Sequence, residues 1–459
     1  MVVAAAWVCG AGACSGPQKP AASRPNVLFI MADDMRPDCI GALGNPHIKT
    51  PNLDRLVERG TAFTRTYVLG ANVGGVCLPS RTMLLSGRSV FHFNYGNGGF
   101  AEPDTREAFQ KSGLPRLVAN SVPWAKAMSA GGYETFHLGK PGNSYEAGMK
   151  AFDTCLYSTN GNGETESEKV ADTAIAFLRN RKGARPFFMY VAPAVPHDPR
   201  VAAKQFRDMV DPSRIPLPAR YRPIHPFDNG EMDVRDEKLE AWPRTEEAVR
   251  RHLADAYACI TGFDHHLGRI FAALEEQGQL GNTIVIFASD NGLSLGDHGL
   301  MGKQNVYEFG GLHVALVMAG PGIPQGKCDA FAYLFDVYPT VCELTGTPVP
   351  AEVESKSLVP VMTGRASQVR DVAFTAYRDC QRAVRDDRWK MIRYPLIDRT
   401  QLFDLVKDPH ELNDLSERPE HRGKVGEMLA VMERQQKLYG DRAPLKVANP
   451  KPAAWTPPR

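Results

Sequence analysis

Cys77 opens the segment Cys77-Leu-Pro-Ser-Arg-Thr-Met-Leu-Leu-Ser-Gly-Arg88. Pro79 suits the first turn of a helix and Gly87 its end, so the thiol falls just before a helix N-terminus. Free N–H groups and the helix dipole favour an anion there, which would lower the pKa of an ordinary thiol and make it reactive. The same placement also fits a structural cysteine. Two pairs of oxygen donors stand elsewhere, Asp33-Asp34 and Asp290-Asn291. Carboxylates and an amide suit a hard divalent cation, although an Asp-Asp pair by itself serves equally as a cap or turn. His197, in Ala194-Val-Pro-His-Asp-Pro199, adds an imidazole able to exchange a proton.

These groups are far apart in sequence, and the elements around them must bring them together. Asn26 to Ala32 is an apolar run that ends directly at Asp33-Asp34, and Thr283 to Ala288 is another that ends just before Asp290-Asn291. Pro186 to Ala192 reads as a third strand, a few residues before His197, and residues 135–138 and 314–319 as two more. Helices are expected at 50–60 (Thr50 as N-cap, Pro51 in the first turn, Gly60 at the end), 121–129, 168–180, 246–277 and 423–437. The alternation predicts an α/β fold with a mostly parallel central sheet flanked by helices. In such sheets, sites form beyond the carboxyl ends of the strands, and three of these strands deliver polar groups to one edge.

The 459 residues are 43% hydrophobic and 23% charged, an ordinary globular mixture able to bury a large core. Fifty-four basic against fifty-two acidic residues leave +2, which excludes a general nucleic-acid binder driven by net charge. Nine cysteines are too few for a disulfide scaffold. Residues 1–23 are small and apolar, then polar, and resemble a secretory signal without its basic leading residues. Ala11-Gly12-Ala13-Cys14 loosely resembles a lipoprotein cleavage box, which would place a lipid anchor at Cys14. No transmembrane span is expected, since no later segment reaches the ~20 apolar residues a span needs. Composition shifts near 365, so the expected division is an export segment 1–23, a catalytic domain 24–365, a C-terminal subdomain 366–445 with a small antiparallel sheet and a helix, and a Pro-rich tail 446–459, mobile or draped.

The twelve residues from Cys77 resemble the signature of the type I, formylglycine-dependent sulfatases, of the alkaline-phosphatase-like superfamily, and the resemblance runs from about Arg24 to about residue 440. It implies that a separate maturation enzyme oxidises Cys77 to formylglycine, whose hydrate attacks the sulfur of a sulfate ester. Arg24-Pro-Asn-Val-Leu-Phe-Ile-Met-Ala-Asp-Asp34 and Ala288-Ser-Asp-Asn-Gly292 match the family's metal-binding segments. Asp33, Asp34, Cys77, Asp290 and Asn291 are thereby implied to hold Ca²⁺, with Mg²⁺ or Mn²⁺ open by ligand type. Arg81 matches the arginine that orients the formylglycine, Lys140 and Lys303 match sulfate-contacting lysines, and His197 a histidine near the leaving oxygen. A cation and two ammonium groups would stabilise the charge developing on a sulfuryl transition state.

One position departs from the family. Members commonly read Gly-Lys-Trp-His where this chain reads Gly139-Lys140-Pro141-Gly142, so Gly142 replaces a histidine that assists the nucleophile. His137, His313, Asp290 or a water are the stand-ins considered. Substrate contacts are expected from His313, Arg378 and Trp389, from the loop 94–100 and from the insertion 200–242; Arg378 to Arg393 carries six basic and three acidic residues, a rim for a sulfated glycan or simply a solvated strand face. The expected function is an exported, periplasmic or extracellular sulfatase acting on a carbohydrate sulfate ester. The alternatives are a phosphoester or phosphonate hydrolase of the same superfamily, and a catalytically impaired sulfated-glycan-binding protein, the latter motivated by Gly142.

Overall fold

The structure is a computed structural model that describes residues 24–94, 116–117, 121–140, 145–158 and 164–457. The export segment with Cys14, the loop 95–100 and Gly142 lie outside the described residues.

Among the described residues, nine strands form the central sheet. Its main path runs Gly326–Cys328, Thr61–Tyr67, His313–Ala319, Thr283–Ser289, Asn26–Ala32, Phe187–Ala192, Glu134–Gly139, Thr154–Tyr157, with Ala332–Tyr333 also pairing with Thr61–Tyr67. Asn26–Ala32 lies at its centre, parallel to Phe187–Ala192 on one side and to Thr283–Ser289 on the other. His313–Ala319 alone runs against its neighbours on both sides. The central strand is buried along its whole length. Its alternate residues serve two cores, as the two-residue side-chain period requires. Val27, Phe29 and Met31 face the Cys77 helix and Trp124, whereas Leu28, Ile30 and Ala32 face the 31-residue helix Glu246–Glu276.

The helices expected from sequence form with small shifts at their ends, at Pro51–Arg59, Trp124–Ala130, Glu166–Asn180, Glu246–Glu276 and Arg422–Tyr439. The start of Pro51–Arg59 is satisfied differently from the expectation. Thr50 occupies the N-cap but its hydroxyl donates to Asp54 rather than capping. The free N–H groups of Asn52 and Leu53 go instead to the Asp264 carboxylate, reaching across from the long helix at 3.1 and 2.7 Å.

The C-terminal sheet has the order Arg399–Asp404, Trp389–Tyr394, Gln381–Arg385, Ala373–Tyr377, Gly70–Ala71. Four strands are antiparallel, and Arg399–Asp404 closes the far edge. The fifth comes from the N-terminal half, where Gly70–Ala71 pairs parallel with Ala376–Tyr377. This stitches the C-terminal sheet to the loop leading into the Cys77 helix. A buried charge cluster ties the C-terminal sheet to the loop ahead of His313–Ala319, with Lys390 between Glu308 (3.0 Å) and Glu411 (2.8 Å), and Arg385 paired with Glu308. The tail is draped over the body: the Ala453 carbonyl accepts from Asp228, and Trp455 meets Trp242 edge-on at 5.1 Å.

Candidate active site

Four chain segments meet at the carboxyl edge of the central sheet. Asp33 and Asp34 follow Asn26–Ala32, Lys140 follows Glu134–Gly139, His197 lies five residues past Phe187–Ala192, and Asp290 and Asn291 follow Thr283–Ser289. The fifth contributor is the helix Cys77–Ser86, which is buried along its whole length and ends at Gly87 in the left-handed region (φ 68°). Cys77 is its first residue rather than the one before it. Lys303 and its neighbours come from the long loop ahead of His313–Ala319. Gly311 is what lets that loop fold on itself, because a Cβ there would lie 1.7 Å from the Lys303 carbonyl oxygen.

The side chains converge closely. Cys77 Sγ lies 3.4 Å from Asp33 Oδ1, 3.6 Å from Asp34 Oδ1 and 3.0 Å from Lys303 Nζ. Lys303 Nζ donates to Asp34 Oδ1 (2.6 Å), and Asn291 Nδ2 donates to the same oxygen (2.7 Å). Lys140 Nζ donates to Asp33 Oδ2 (2.8 Å). Arg81 Nε donates to Asp290 Oδ2 (2.8 Å), and its Nη2 is 3.3 Å from Asp33 Oδ2, close enough for an ion pair but without hydrogen-bond alignment. His197 Nε2 stands 3.8 Å from Asp34 Oδ2. Asp34 itself has a left-handed backbone (φ 70°), which turns the two adjacent carboxylates into one cluster.

The electrostatics reverse one expectation. Burial pushes the Cys77 thiol well up, and the Asp290, Asp33 and Asp34 carboxylates push it further, against the opposing pull of Lys303. The three carboxylates outweigh the helix terminus, so the bare thiol is not an activated nucleophile. Burial would raise Asp33, but Lys140, Arg81, His197 and Lys303 overcome it and hold that carboxyl well below its usual range. Burial would also raise Asp34, which Lys303 and His197 bring below its ordinary value. Asp290 goes the other way, up to about 6, through burial and the Asp33 charge.

The donor set fits a hard cation. Asp33, Asp34, Cys77 and His197 present ligand atoms within 4.8 Å of one another. Asn291 Oδ1 is buried with no hydrogen-bond partner, an acceptor that a cation would satisfy. Oxygen donors dominate, which matches calcium or magnesium better than a soft metal.

The remaining expected residues are placed elsewhere. His313 has both ring nitrogens against backbone carbonyls, Glu308 at 2.9 Å and Thr64 at 3.1 Å, and its ring stacks on Tyr67. That fills its polar atoms with structure, so it offers nothing to a substrate or to the nucleophile. His137 is buried with Nδ1 against Cys155 Sγ, and burial with the Arg81 charge pushes it down to about 3. Trp389 packs against His421, Arg388 and Lys424 in the C-terminal sheet. Arg378 Nη1 donates to Glu231 Oε1 (2.6 Å), while its backbone N–H donates to Ala71, ahead of the Cys77 helix. Asp198, Arg235, Asp236 and Gln304 were not singled out from sequence, and all four surround the cluster. Asp198 and Gln304 could have been found, since each adjoins a residue matched to the signature; Arg235 and Asp236 gave no local signal.

Acids, lysines and an arginine thus gather around a helix-borne Cys77 at the carboxyl edge of a mostly parallel sheet, the place where α/β folds carry their active sites. The sulfatase family model matches residues 25–347, so the chain belongs to the sulfatase family and is a sulfuric ester hydrolase. A second model, described as N-sulphoglucosamine sulphohydrolase, C-terminal, matches residues 296–438. An arylsulfatase of Clostridium perfringens is 27% identical, covering 89% of this chain and 94% of its own. An N-acetylglucosamine-6-O-sulfatase of Bacteroides thetaiotaomicron is 24% identical over 94% of this chain and 89% of its own. Among solved structures, one in complex with its substrate D-glucosamine-2-N,6-O-disulfate superposes with a TM-score of 0.75 at 22% identity, covering 92% and 99% of the two chains. A phosphonate monoester hydrolase of Agrobacterium radiobacter gives 0.73 at 23% identity, covering 90% and 96%. Among the described residues no helix is long and apolar enough to cross a membrane.

Proposed function

We propose that this chain removes sulfate from a carbohydrate sulfate ester, using formylglycine formed from Cys77 and one bound Ca²⁺. The observation that carries the reading is the burial of Cys77 among three carboxylates and beside Lys303, a setting that suppresses thiolate chemistry and suits an oxygen nucleophile held against a cation. Conversion to formylglycine would supply a hydrated aldehyde as nucleophile, and the cation would supply positive charge at the nucleophile and the sulfuryl oxygens. Asp33, Asp34, Asp290 and Asn291 would hold the ion, together with the converted Cys77.

The chain's own residues divide the rest of the work. Arg81, Lys140 and Lys303 cancel the charges of Asp33, Asp34 and Asp290, so a divalent cation leaves the site at about +2, complementary to a sulfate ester anion. Lys140 and Lys303 neutralise the non-bridging sulfate oxygens, and Arg81 fixes Asp290 and Asp33. His197 donates its Nδ1–H to the Asp198 carbonyl, so it is the doubly protonated ring, with its second proton on Nε2 on the side of Asp34, that would protonate the leaving oxygen and become neutral in doing so.

The carbohydrate class is supported by the N-acetylglucosamine-6-O-sulfatase relative and by the neighbour whose substrate is a disulfated glucosamine. Export to the periplasm or beyond and dependence on a maturation enzyme are supported by the signal-like N-terminal segment and the Cys77 signature, and Cys14 is the residue a lipid anchor would take. A second reading, a phosphonate or phosphoester hydrolase, is suggested by the structural neighbour from Agrobacterium radiobacter, a phosphonate monoester hydrolase.

The deciding experiment joins mass spectrometry of the Cys77 peptide to turnover of matched aryl substrates. The sulfatase reading expects a peptide lighter by about 18 Da, as thiol becomes aldehyde, and a higher kcat/KM on aryl sulfate than on aryl phosphate or phosphonate. An unmodified thiol in the native host, or faster phosphate cleavage, would sink it.

A further inference from the structure

We propose that Asp198 and Arg235 are positioning residues for His197, holding its imidazole so that Nε2 meets the leaving oxygen of the ester. The inference rests on the leaving-group role given to His197 above. Asp198 follows His197 directly and engages its Nδ1 twice, through the backbone carbonyl at 2.8 Å and through carboxylate Oδ1 at 3.5 Å. The other carboxylate oxygen of Asp198 is ion-paired with Arg235 Nη2. Arg235 Nη1 turns the opposite way, 2.9 Å from Asp236 Oδ1.

Asp236 is itself anchored, because its Oδ2 accepts from Gln304 Nε2 (2.8 Å), and Gln304 Oε1 accepts from the backbone N–H of Lys303 (2.9 Å). The next residue, Glu237, accepts from the backbone N–H groups of Met301 (2.9 Å) and Gly302 (2.8 Å). The run Arg235–Glu237 is thus fixed to the loop that carries Lys303, and from that base Arg235 reaches over to the His197 loop.

The Arg235 side chain is 61% exposed and that of Asp198 only 9%, so loss of Arg235 takes this cation from a nearly buried carboxylate and has to be read apart from folding by the substrate and ring comparisons below. What Arg235 does is neutralise a nearly buried carboxylate that lies 3.5 Å from His197 Nδ1; the guanidinium also feels the Asp34 charge. A planar cation that bridges the anchored Asp236 and Asp198, one nitrogen to each, sets where Asp198 lies, and Asp198 sets the ring.

A sugar sulfate expels an alkoxide that needs a proton, whereas 4-nitrophenyl sulfate expels a stable phenolate that does not. The test compares glucosamine 6-sulfate with 4-nitrophenyl sulfate in the converted, metal-loaded enzyme, for wild type, Arg235→Ala, Arg235→Lys and Asp198→Asn, alongside a crystal structure of Arg235→Ala. The expected result is a kcat loss above tenfold on the sugar sulfate and at most threefold on the aryl sulfate in Arg235→Ala and Asp198→Asn. KM should stay within twofold, Arg235→Lys should recover most of the sugar-sulfate rate, and the His197 ring should be turned in the Arg235→Ala crystal. Equal losses on both substrates, a raised KM at unchanged kcat, or an unmoved His197 ring would overturn the proposal. A wild-type enzyme that hydrolyses neither sulfate would instead overturn the carbohydrate-sulfatase reading, and the ring position still decides the positioning role.

Discussion

At Cys77 a helix N-terminus that favours an anion is opposed by burial and by three carboxylates that resist one. Burial and the carboxylates prevail, and Lys303 becomes the group that makes the pocket tolerable for any negative oxygen. Lys303→Ala is therefore expected to cost about 3–4 kcal/mol of transition-state stabilisation, the loss typical of one strong electrostatic donor. Steady-state kcat/KM on an aryl sulfate measures it, and a near-normal value would remove Lys303 from the reaction. The same carboxylates repel one another when no cation is bound. Chelation should abolish turnover and lower the melting temperature. Calcium at a hundredfold excess over Kd should restore about 2.7 kcal/mol of stability. Calorimetry with and without calcium reads the difference, and an unchanged melting temperature would argue against a resident ion.

Among the elements, the loop ahead of His313–Ala319 does more for the site than its irregular sequence suggests. It delivers Lys303, and it can do so only because Gly311 presents no side chain to the Lys303 backbone; a Cβ would sit 1.7 Å from the carbonyl oxygen and 2.5 Å from its carbon. Gly311→Ala must displace backbone rather than a flexible side-chain end. It is expected to lower kcat at least tenfold while the protein remains folded, a result that circular dichroism and aryl-sulfate kinetics would establish together. Full activity in the variant would show that the loop has slack. The Pro51–Arg59 helix illustrates the same dependence, since its capping carboxylate, Asp264, lies more than 200 residues away in sequence.

At the scale of the whole molecule, the fold buries histidines as neutral groups. His225 is fully buried with Nδ1 on the His298 carbonyl, and burial pushes it down to about 4; His137 is pushed down to about 3. An unfolded chain takes up protons near pH 6.5 while these sites stay neutral, so the unfolded state binds more protons and stability falls as pH drops from about 6.5 to about 4. His225 alone would contribute about 3 kcal/mol of that loss, at 1.36 kcal/mol per pKa unit. Urea denaturation at pH 7.5 and pH 4.5 should show the decline, and His225→Gln should flatten it. A His225→Gln protein with an unaltered pH slope would mean that the ring is charged in the fold.

Much of the site was legible in sequence because its chemistry is local. Asp33-Asp34 and Asp290-Asn291 each end a buried apolar strand, and a parallel sheet puts strand ends on one edge. Cys77, Pro79 and Gly87 mark a helix by themselves, and the resemblance supplied Arg81, Lys140, His197 and Lys303. Tertiary structure decided what depends on distant partners. It turned His313 inward, onto two backbone carbonyls, where sequence spacing left it free for a substrate. It raised the Cys77 thiol, first by burying it and then through carboxylates that arrive from two other strands. It drew Gly70–Ala71 into the C-terminal sheet, a pairing no local pattern announces in two residues. And it placed Arg235 beside Asp198, an ion pair whose partners are 37 residues apart and whose meaning exists only once the 200–242 insertion folds back over the sheet edge. Residue type and period determine which atoms can do chemistry; long-range packing determines which charges face one another, and so which of those atoms are free to react.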